Sequence, residues 1–248
     1  MKADTQLNWS YGEKPYLLNE VKEGRRFYFA VKRAIDFLLT LILLILLSPL
    51  MALIAAAIYI DSPGPIFFSQ ERVGAKRYKL DGTTYWRKVH FRVYKFRTMV
   101  LNADTKVHQE YVKALIENNT EKMDALQGEP TLPRKLVHDK RLLRSGKFLR
   151  KFSLDELPQF WNVLIGDMSL VGPRPAIPYE VELYSDWHLK RLEAQPGITG
   201  LQQIKARSTE FDQQVTLDIE YVEKQSWWLD TIIALKTPIA IISGKGAY

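Results

Sequence analysis

The chain has 248 residues and a formal net charge of +7, which favours a polyanionic partner such as nucleic acid, an anionic membrane face or a phosphate-bearing substrate. It contains no cysteine, and this excludes disulfides, thiolate nucleophiles and cysteine-based zinc sites. Its four histidines are scattered along the sequence, which argues against a histidine-built metal site.

Residues 1–24 are polar and predict a tail or surface arm. An apolar run without a charged residue follows, from Phe37 to Ile60. It is long enough for one membrane crossing, which takes about 20 residues. The run is longer and begins later than the core of a cleaved signal peptide, so we expect it to be retained, although the alanines at 55–57 resemble a cleavage site.

Two paths are open for this membrane segment, residues 25–60. Basic residues stand on both of its sides, namely Lys22, Arg25, Arg26, Lys32, Arg33, Arg72, Lys76, Arg77 and Lys79. Such residues are enriched on the cytoplasmic side of membrane segments. Ser48-Pro49 lies mid-run, and proline removes a backbone donor and bends a helix. We therefore expect a re-entrant helix broken at Ser48-Pro49, with a proline-kinked transmembrane helix as the alternative.

Residues 61–248 predict one domain of α+β class, mostly helical with short strands. Alternating apolar and polar residues predict strands in "IFFSQERVG" and "KVHFRVYKFRTM", joined by a turn in "LDGTTYW". Helical patterns lie at 102–128, from about 153 to "GPRP", and at 177–193, 210–224 and 227–243, while "QPGITG" predicts a turn. The last helix is apolar on most of its surface and either lies in the membrane interface or packs on the core.

Two adjacent carboxylates, Asp155 and Glu156, lie among basic residues, namely Arg141, Arg144, Lys147, Arg150 and Lys151. Nearby cations favour the charged carboxylate, which is the form that attacks phosphorus. A divalent cation, Mg²⁺, fits carboxylate and phosphate oxygens together. The structural alternative is a capping box from Ser153 to Glu156, and both interpretations hold if Asp155 projects outward.

Other cations are candidates for phosphate binding. "GPRP" holds Arg174 between two prolines, including Pro175, in a rigid loop that suits phosphate recognition, although such a loop is also an ordinary surface turn. Arg207 is a third candidate or simply a solvated side chain. Lys95 and Arg97 alternate with aromatic residues, a pattern of nucleic-acid binding or of a strand with one exposed face.

Several stretches occur together in the order typical of one family: "KRAIDFLLTLILLILLSPL", "KFRTM", "FLRKFSLDELPQFWNVLIGDMSLVGPRP", "PGITG" and "WLD". From about residue 26 to 240 the chain resembles the bacterial sugar transferases, the monotopic polyprenyl-phosphate phosphoglycosyl transferases. The chain lacks the several N-terminal membrane helices of the larger members, so it is expected to correspond to the compact catalytic form or to a shortened version of a larger one.

The resemblance implies transfer of a sugar-1-phosphate from a UDP-sugar to undecaprenyl phosphate with release of UMP. It implies a covalent phosphosugar intermediate on Asp155, beside Glu156, with Mg²⁺ bound at this dyad. The family's arginine positions fall on Arg150, Arg174 and Arg207, and its "WLD" aspartate falls on Asp230. With Pro175, Lys95 and Arg97, these are the expected substrate- and phosphate-binding residues.

The resemblance also implies a location in the bacterial inner membrane, with the re-entrant helix broken at Ser48-Pro49 and the catalytic domain on the cytoplasmic face. The expected pathway is the first membrane step of exopolysaccharide, O-antigen, capsule or another lipid-linked glycan. Expected partners are the UDP-sugar, undecaprenyl phosphate, membrane lipids, a second copy of the chain and downstream glycosyltransferases, and no nucleic acid. Two rival functions are a catalytically idle membrane scaffold and a membrane-tethered nucleic-acid binder.

Overall fold

A computed structural model describes residues 17–22, 24–101, 106–127, 141–205 and 210–242. The prediction for Arg207, and those for most of the 1–24 tail and for parts of the 102–128 segment, lie outside these residues. The elements in chain order are β1 (Leu17–Glu20), α1 (Arg26–Asp61), β2 (Phe67–Leu80), β3 (Thr83–Phe96), α2 (Lys106–Ile116), α3 (Thr120–Gln127), α4 (Arg144–Lys151), α5 (Gln159–Ile165), β4 (Ser169–Val171), α6 (Pro178–Val181), α7 (Asp186–Leu189), β5 (Gly197–Thr199), α8 (Leu201–Lys205), α9 (Phe211–Lys224) and α10 (Trp227–Ile242). The predicted mixed, mostly helical fold is confirmed.

Helix α1 is the one helix of the described chain that is long and apolar enough to cross a membrane, and 11% of its most apolar window is buried inside the protein. Its helical assignment continues through Ser48 and Pro49, so the predicted break does not appear as a gap in the helix. Proline has no N–H, which deprives the Ile45 carbonyl of its usual donor. The Ser48 hydroxyl donates to that carbonyl at 2.8 Å and replaces the lost bond. Whether the helix is re-entrant stays a prediction.

Both ends of α1 are fastened to the rest of the protein. Near its N-terminus, Arg33 donates to the Val163 and Leu164 carbonyls of α5. One turn further on, Asp36 accepts a bond from the Ser169 hydroxyl of β4 at 2.7 Å. These contacts join the N-terminal part of α1 to α5 and β4.

The C-terminal end of α1 packs against a different part of the same domain. Ile54 and Ile58 lie in a buried cluster with Phe96, Leu143 and Leu149. Between these two attachments, from residue 41 to residue 53, no side chain is buried. The apolar surface of this middle part is therefore available to lipid.

Strands β2 and β3 form an antiparallel hairpin, and β1 pairs with the other edge of β3. The turn consists of Asp81 and Gly82, whose φ values of +48° and +83° suit the tight two-residue turns of hairpins. The predicted strands are confirmed, but each is 14 residues long rather than short. The pairing continues in register from Phe67 opposite Phe96 to Leu80 opposite Thr83, because the turn leaves no unpaired residues to end it.

The predictions between 153 and 200 are partly wrong. The expected helix from about 153 is a 3₁₀ turn followed by the short α5, and the expected helix at 177–193 is divided into α6, α7 and a second 3₁₀ turn. Strands β4 and β5, which were not predicted, pair in parallel and join "SLVGPRP" to "PGITG". A Cβ on Gly172 would lie 2.2 Å from the Gln195 carbonyl oxygen, so glycine permits this close approach.

Helices α9 and α10 are confirmed near their predicted bounds. Ile233 of α10 is buried in a cluster with Val171, Leu201 and Tyr221. On the same helix Trp228 and Leu235 are largely exposed. One face of α10 therefore packs on the core, and its exposed apolar face fits the interfacial alternative, which stays a prediction.

Candidate active site

The two acidic residues lie on a 3₁₀ turn, Leu154–Glu156, between α4 and α5. The predicted capping box does not form: Ser153 makes no capping hydrogen bond and adopts a left-handed conformation with φ +54°. Pro158 follows this turn and immediately precedes α5. Asp155 is buried rather than projecting into solvent. The dyad therefore lies in the connection between α4 and α5 and caps neither helix.

The dyad turn rests on the membrane helix. Leu154 and Leu157 pack against the buried cluster that contains Ile54 and Ile58 at the C-terminal end of α1. This packing places the turn that carries Asp155 against the C-terminal end of α1.

The end of β3 contacts this turn, and the residues just after β3 contact α4. Lys95 Nζ donates to Glu156 Oε1 at 2.6 Å, and Arg150 Nε donates to the Thr98 hydroxyl at 3.0 Å. Helix α4 comes close enough for the second contact because Gly146 lacks a side chain: a Cβ there would lie 2.3 Å from the Thr98 carbonyl oxygen. The predicted residues Lys95 and Arg150 are thus brought to the dyad.

A pocket beside the dyad contains the predicted Arg174 and Pro175. It is lined by Arg72, Val93, Lys95, Glu156, Gln159, Arg174, Pro175, Gly197, Ile198 and Gln203. The buried Arg72 of β2 donates to the Pro175 carbonyl at 3.1 Å. Val73 and Ala176 exchange backbone hydrogen bonds, which fixes the "GPRP" loop to the sheet. The structure therefore gathers basic side chains from β2, β3 and this loop at one place.

The two carboxyl groups of the dyad have opposite electrostatic environments. Burial raises the pKa of Asp155, and the neighbouring Glu156 acts in the same direction against Lys95 and Arg150. Burial would also raise the pKa of Glu156, but Lys95, Arg174 and Arg72 outweigh it and lower that pKa. The expectation that nearby cations favour the charged form thus holds for Glu156 and is wrong for Asp155, whose burial is the larger effect.

Arg97 and Asp230 are not brought to the dyad. Arg97 is buried at the junction of α1 and β2, where it donates to the Ser62 carbonyl, and its Nε and Nη1 have no hydrogen-bond partner among the described residues. Asp230 accepts hydrogen bonds from Tyr28, Lys32 and Tyr221 at 2.7–2.8 Å. These contacts join α1, α9 and α10, so Asp230 occupies a structural position.

Sequence reasoning missed several residues of the pocket. Arg72 was noted only as a basic flank of the membrane segment, yet it is buried beside Glu156 and Arg174. Gln159 and Gln203 line the same pocket. Arg72 lies on the face of β2 opposite the buried Val73 and Ala75, so the alternation of the strand predicts an exposed side chain and gives no signal of a buried cation. The glutamines gave no signal either.

Comparisons with known proteins agree with this arrangement. The family described as bacterial sugar transferase matches residues 27–244. Undecaprenyl-phosphate galactose phosphotransferase of Salmonella typhimurium is 37% identical over 250 residues, which cover 99% of this chain and 48% of that protein. Exopolysaccharide production protein ExoY of Sinorhizobium fredii is 38% identical over 218 residues, 88% of both chains. UDP-glucose:undecaprenyl-phosphate glucose-1-phosphate transferase of Escherichia coli is 35% identical over 88% of this chain and 41% of its own.

The chain is therefore of the transferase class, and the turn that carries its acidic dyad packs against the long apolar helix α1. It belongs to the bacterial sugar transferase family, which the match over residues 27–244 establishes. It spans about half the length of the Salmonella relative and most of the length of ExoY.

Proposed function

We propose that the protein transfers a sugar-1-phosphate from a UDP-sugar to undecaprenyl phosphate, as the first membrane step of exopolysaccharide or another lipid-linked glycan. The names of the Salmonella and Escherichia coli relatives support the lipid acceptor, and the name of the latter supports a UDP-sugar donor. The observation that carries the proposal is the buried Asp155 beside the Lys95–Glu156 ion pair and the arginines at 72, 150 and 174.

Asp155 is the proposed nucleophile. One of its carboxylate oxygens forms a bond to the sugar-linked phosphorus, and the bond from that phosphorus to the UMP oxygen breaks, so UMP leaves with the electron pair. An oxygen of undecaprenyl phosphate then attacks the same phosphorus, and the Asp155 carboxylate is released. Because burial raises its pKa, this carboxylate is more basic than an exposed one and a correspondingly better nucleophile when ionised.

The cations of the pocket have the complementary task. Arg72 and Arg174 hold phosphate oxygens and offset the charge that develops as UMP leaves. Lys95 keeps Glu156 ionised, which gives Glu156 a constant charge through the cycle. Covalent transfer in two steps lets one phosphate site serve the nucleotide sugar first and the lipid phosphate second.

The donor set fits a magnesium ion only together with substrate. Among the described residues no group of three or more acidic or histidine side chains could hold a metal ion. Mg²⁺ is commonly bound by one or two carboxylates plus substrate phosphates, and Asp155 with the free oxygen of Glu156 meets this requirement. Bound there, the ion would neutralise phosphate charge and favour the ionised form of Asp155.

The attachments of α1 support a re-entrant anchor. Asp36 and Ile58 contact the same domain, while residues 41–53 between them are not buried. A helix that crosses the bilayer once carries its ends to opposite sides of a core about 30 Å thick, whereas a returning helix keeps both on one side. The basic flanks favour the cytoplasmic side. Such an anchor holds Asp155 near the depth of the lipid phosphate, which reduces the entropy cost of their meeting.

Release of UMP tests the activity. The purified protein in nanodiscs is given undecaprenyl phosphate, Mg²⁺ and a panel of UDP-sugars, and wild type is compared with Asp155→Asn. We expect UMP from one sugar in wild type and none in the variant. If folded wild-type protein releases no UMP with any sugar of the panel, the proposed activity is contradicted and a scaffold function is favoured.

The topology of the anchor has a separate test by cysteine labelling. Because the chain contains no cysteine, an introduced cysteine is its only thiol. Single cysteines at Lys22 and Ser69, both exposed, flank the membrane helix on its two sides. In sealed inverted vesicles a membrane-impermeant maleimide should label both from the cytoplasmic face. Labelling of the two positions from opposite faces would instead identify a single crossing.

A further inference from the structure

His108 lies near Arg72 and Arg174, two of the arginines that line the pocket beside the dyad. It comes from α2, a segment to which the sequence assigned no chemistry. Its Nδ1 lies 2.7 Å from the hydroxyl oxygen of Tyr179, and the two rings meet edge to face with centroids 6.4 Å apart. Tyr179 belongs to α6, which follows the "GPRP" loop. The contact therefore joins α2 to the loop that carries Arg174.

Guanidinium groups from several parts of the fold act on His108. They are Arg72 of β2, Arg141 before α4, Arg150 within α4 and Arg174 of the "GPRP" loop. Burial lowers the pKa of His108, and these four positive charges lower it further. The imidazole is consequently neutral near pH 7, whereas a positive cluster of this kind attracts an anion.

The contact with Tyr179 allows a tautomer that has the imidazole proton on Nε2. Burial raises the pKa of Tyr179, with Glu180 acting in the same direction against Arg72, so the phenol keeps its proton. Either partner can be the donor in this contact, and when the phenol donates to Nδ1 the single proton of a neutral imidazole lies on Nε2. Among the residues that the structure describes, His108 Nε2 has no hydrogen-bond partner. In this tautomer the imidazole therefore has an Nε2–H donor available for an anion.

We propose that His108, oriented by Tyr179, binds the diphosphate of the nucleotide-sugar donor through Nε2–H. This inference rests on the proposed function and adds a donor-binding residue that lies outside the dyad and its arginines. A diphosphate offsets the charge of the surrounding guanidinium groups, so the bound anion makes protonation of His108 easier. Donor binding should then be coupled to proton uptake, and the contribution of His108 should increase as the pH falls.

Three variants separate ligand binding from a packing role. His108→Gln keeps an amide N–H near the position of Nε2 but cannot become charged. His108→Asn reaches only the Nδ1 side, toward Tyr179. His90→Gln is the matched control, because His90 lies on β3 with its Nδ1 2.8 Å from the exposed Glu71 carboxylate. Thermal unfolding of each variant checks that it is folded.

The readout is the dissociation constant of UDP with Mg²⁺, measured by calorimetry in nanodiscs at about pH 6 and about pH 8. The terminal phosphate of UDP titrates in this range as well, so each variant is compared with wild type at the same pH. We expect His108→Asn to bind UDP roughly tenfold more weakly at the lower pH and less than that at the higher one. His108→Gln should show a smaller loss, and Tyr179→Phe should weaken binding in the same pH-dependent direction.

Wild-type affinity in folded His108→Asn at both pH values would overturn the inference, because it would leave His108 only its contact with Tyr179. An equal loss in His90→Gln would overturn it as well. Failure of wild type to bind UDP would instead count against the proposed function itself. If His108→Asn does not fold, the decision passes to His108→Gln, whose affinity ratio to wild type must change with pH for the inference to stand.

Discussion

Lys95 Nζ lies 2.6 Å from Glu156 Oε1, and this ion pair joins the end of β3 to the turn that carries the acidic dyad. Both side chains are more than three-quarters buried, so the pair is only weakly screened by solvent. Lys95 acts on both adjacent carboxyl groups: it holds Glu156 ionised, and it partly offsets the burial that raises the pKa of Asp155.

Lys95→Met should shift the pH dependence of the reaction. Without the ammonium group the pKa of Glu156 rises, so this residue takes up a proton at a higher pH than in wild type. The acid limb of UMP release should move to higher pH, and the rate near pH 7 should fall roughly ten- to a hundredfold. Steady-state UMP release across the pH range measures both effects. Lys79→Met, at an exposed position of the same hairpin, should leave the profile unchanged.

Arg72→Lys should make donor binding sensitive to high pH. Burial, with Arg174 in the same direction, lowers the pKa of Arg72 to about 10, which still leaves it charged. The unperturbed pKa of a lysine is about two units below that of an arginine. In this environment a lysine therefore loses its charge as the pH rises through about 8. We expect the KM for the UDP-sugar to rise roughly tenfold between neutral and alkaline pH. The exposed Arg92→Lys serves as the control, and a flat KM in Arg72→Lys would contradict the assignment.

Asp230→Asn tests whether this residue binds substrate or holds the fold together. Its two oxygens accept bonds from Tyr28, Lys32 and Tyr221. Loss of its charge removes the ion-pair partner of the largely buried Lys32, which costs about 3–5 kcal/mol. Thermal unfolding should show this loss, while the KM for the UDP-sugar at a permissive temperature should stay near that of wild type. A raised KM with unchanged stability would support the family-based expectation of a substrate-binding residue instead.

Ser48→Ala should destabilise the membrane helix. It removes the donor that satisfies the Ile45 carbonyl, which Pro49 leaves without a backbone partner. The expected cost is about 1 kcal/mol in a denaturant titration in bicelles. In a Pro49→Ala background the new N–H can reach the same carbonyl, so the same serine substitution should cost less there. Equal costs in the two backgrounds would mean that the hydroxyl does not compensate for the proline.

The sequence identified the dyad and much of its surroundings because those residues lie in contiguous motifs. Three motifs, "KFRTM", "FLRKFSLDE" and "GPRP", contain the basic residues Lys95, Arg150 and Arg174, and the structure brings these residues together. The long helices and the hairpin also followed from periodicity. In each case the signal was local, so it could be read from a short window.

The errors arose where long-range contacts decide the structure. Strands β4 and β5 have three residues each and pair with one another across the chain, which periodicity over such a length does not reveal. The capping interpretation of Ser153 failed because Lys95, distant in sequence, takes the Glu156 carboxylate. Arg72 lines the pocket and His108 contacts Tyr179 through tertiary packing alone, and neither lies in a motif that marks it.

The central claim is that Asp155 carries the sugar phosphate covalently, and it is tested most directly without the lipid acceptor. Wild-type protein is mixed with Mg²⁺ and the UDP-sugar that supports turnover, then quenched and digested for mass spectrometry. We expect a burst of about one UMP per enzyme and the mass of one sugar phosphate on the peptide that contains Asp155, with neither in Asp155→Asn. UMP formation that requires undecaprenyl phosphate, with no modified peptide, would contradict the account and indicate direct transfer between the two substrates.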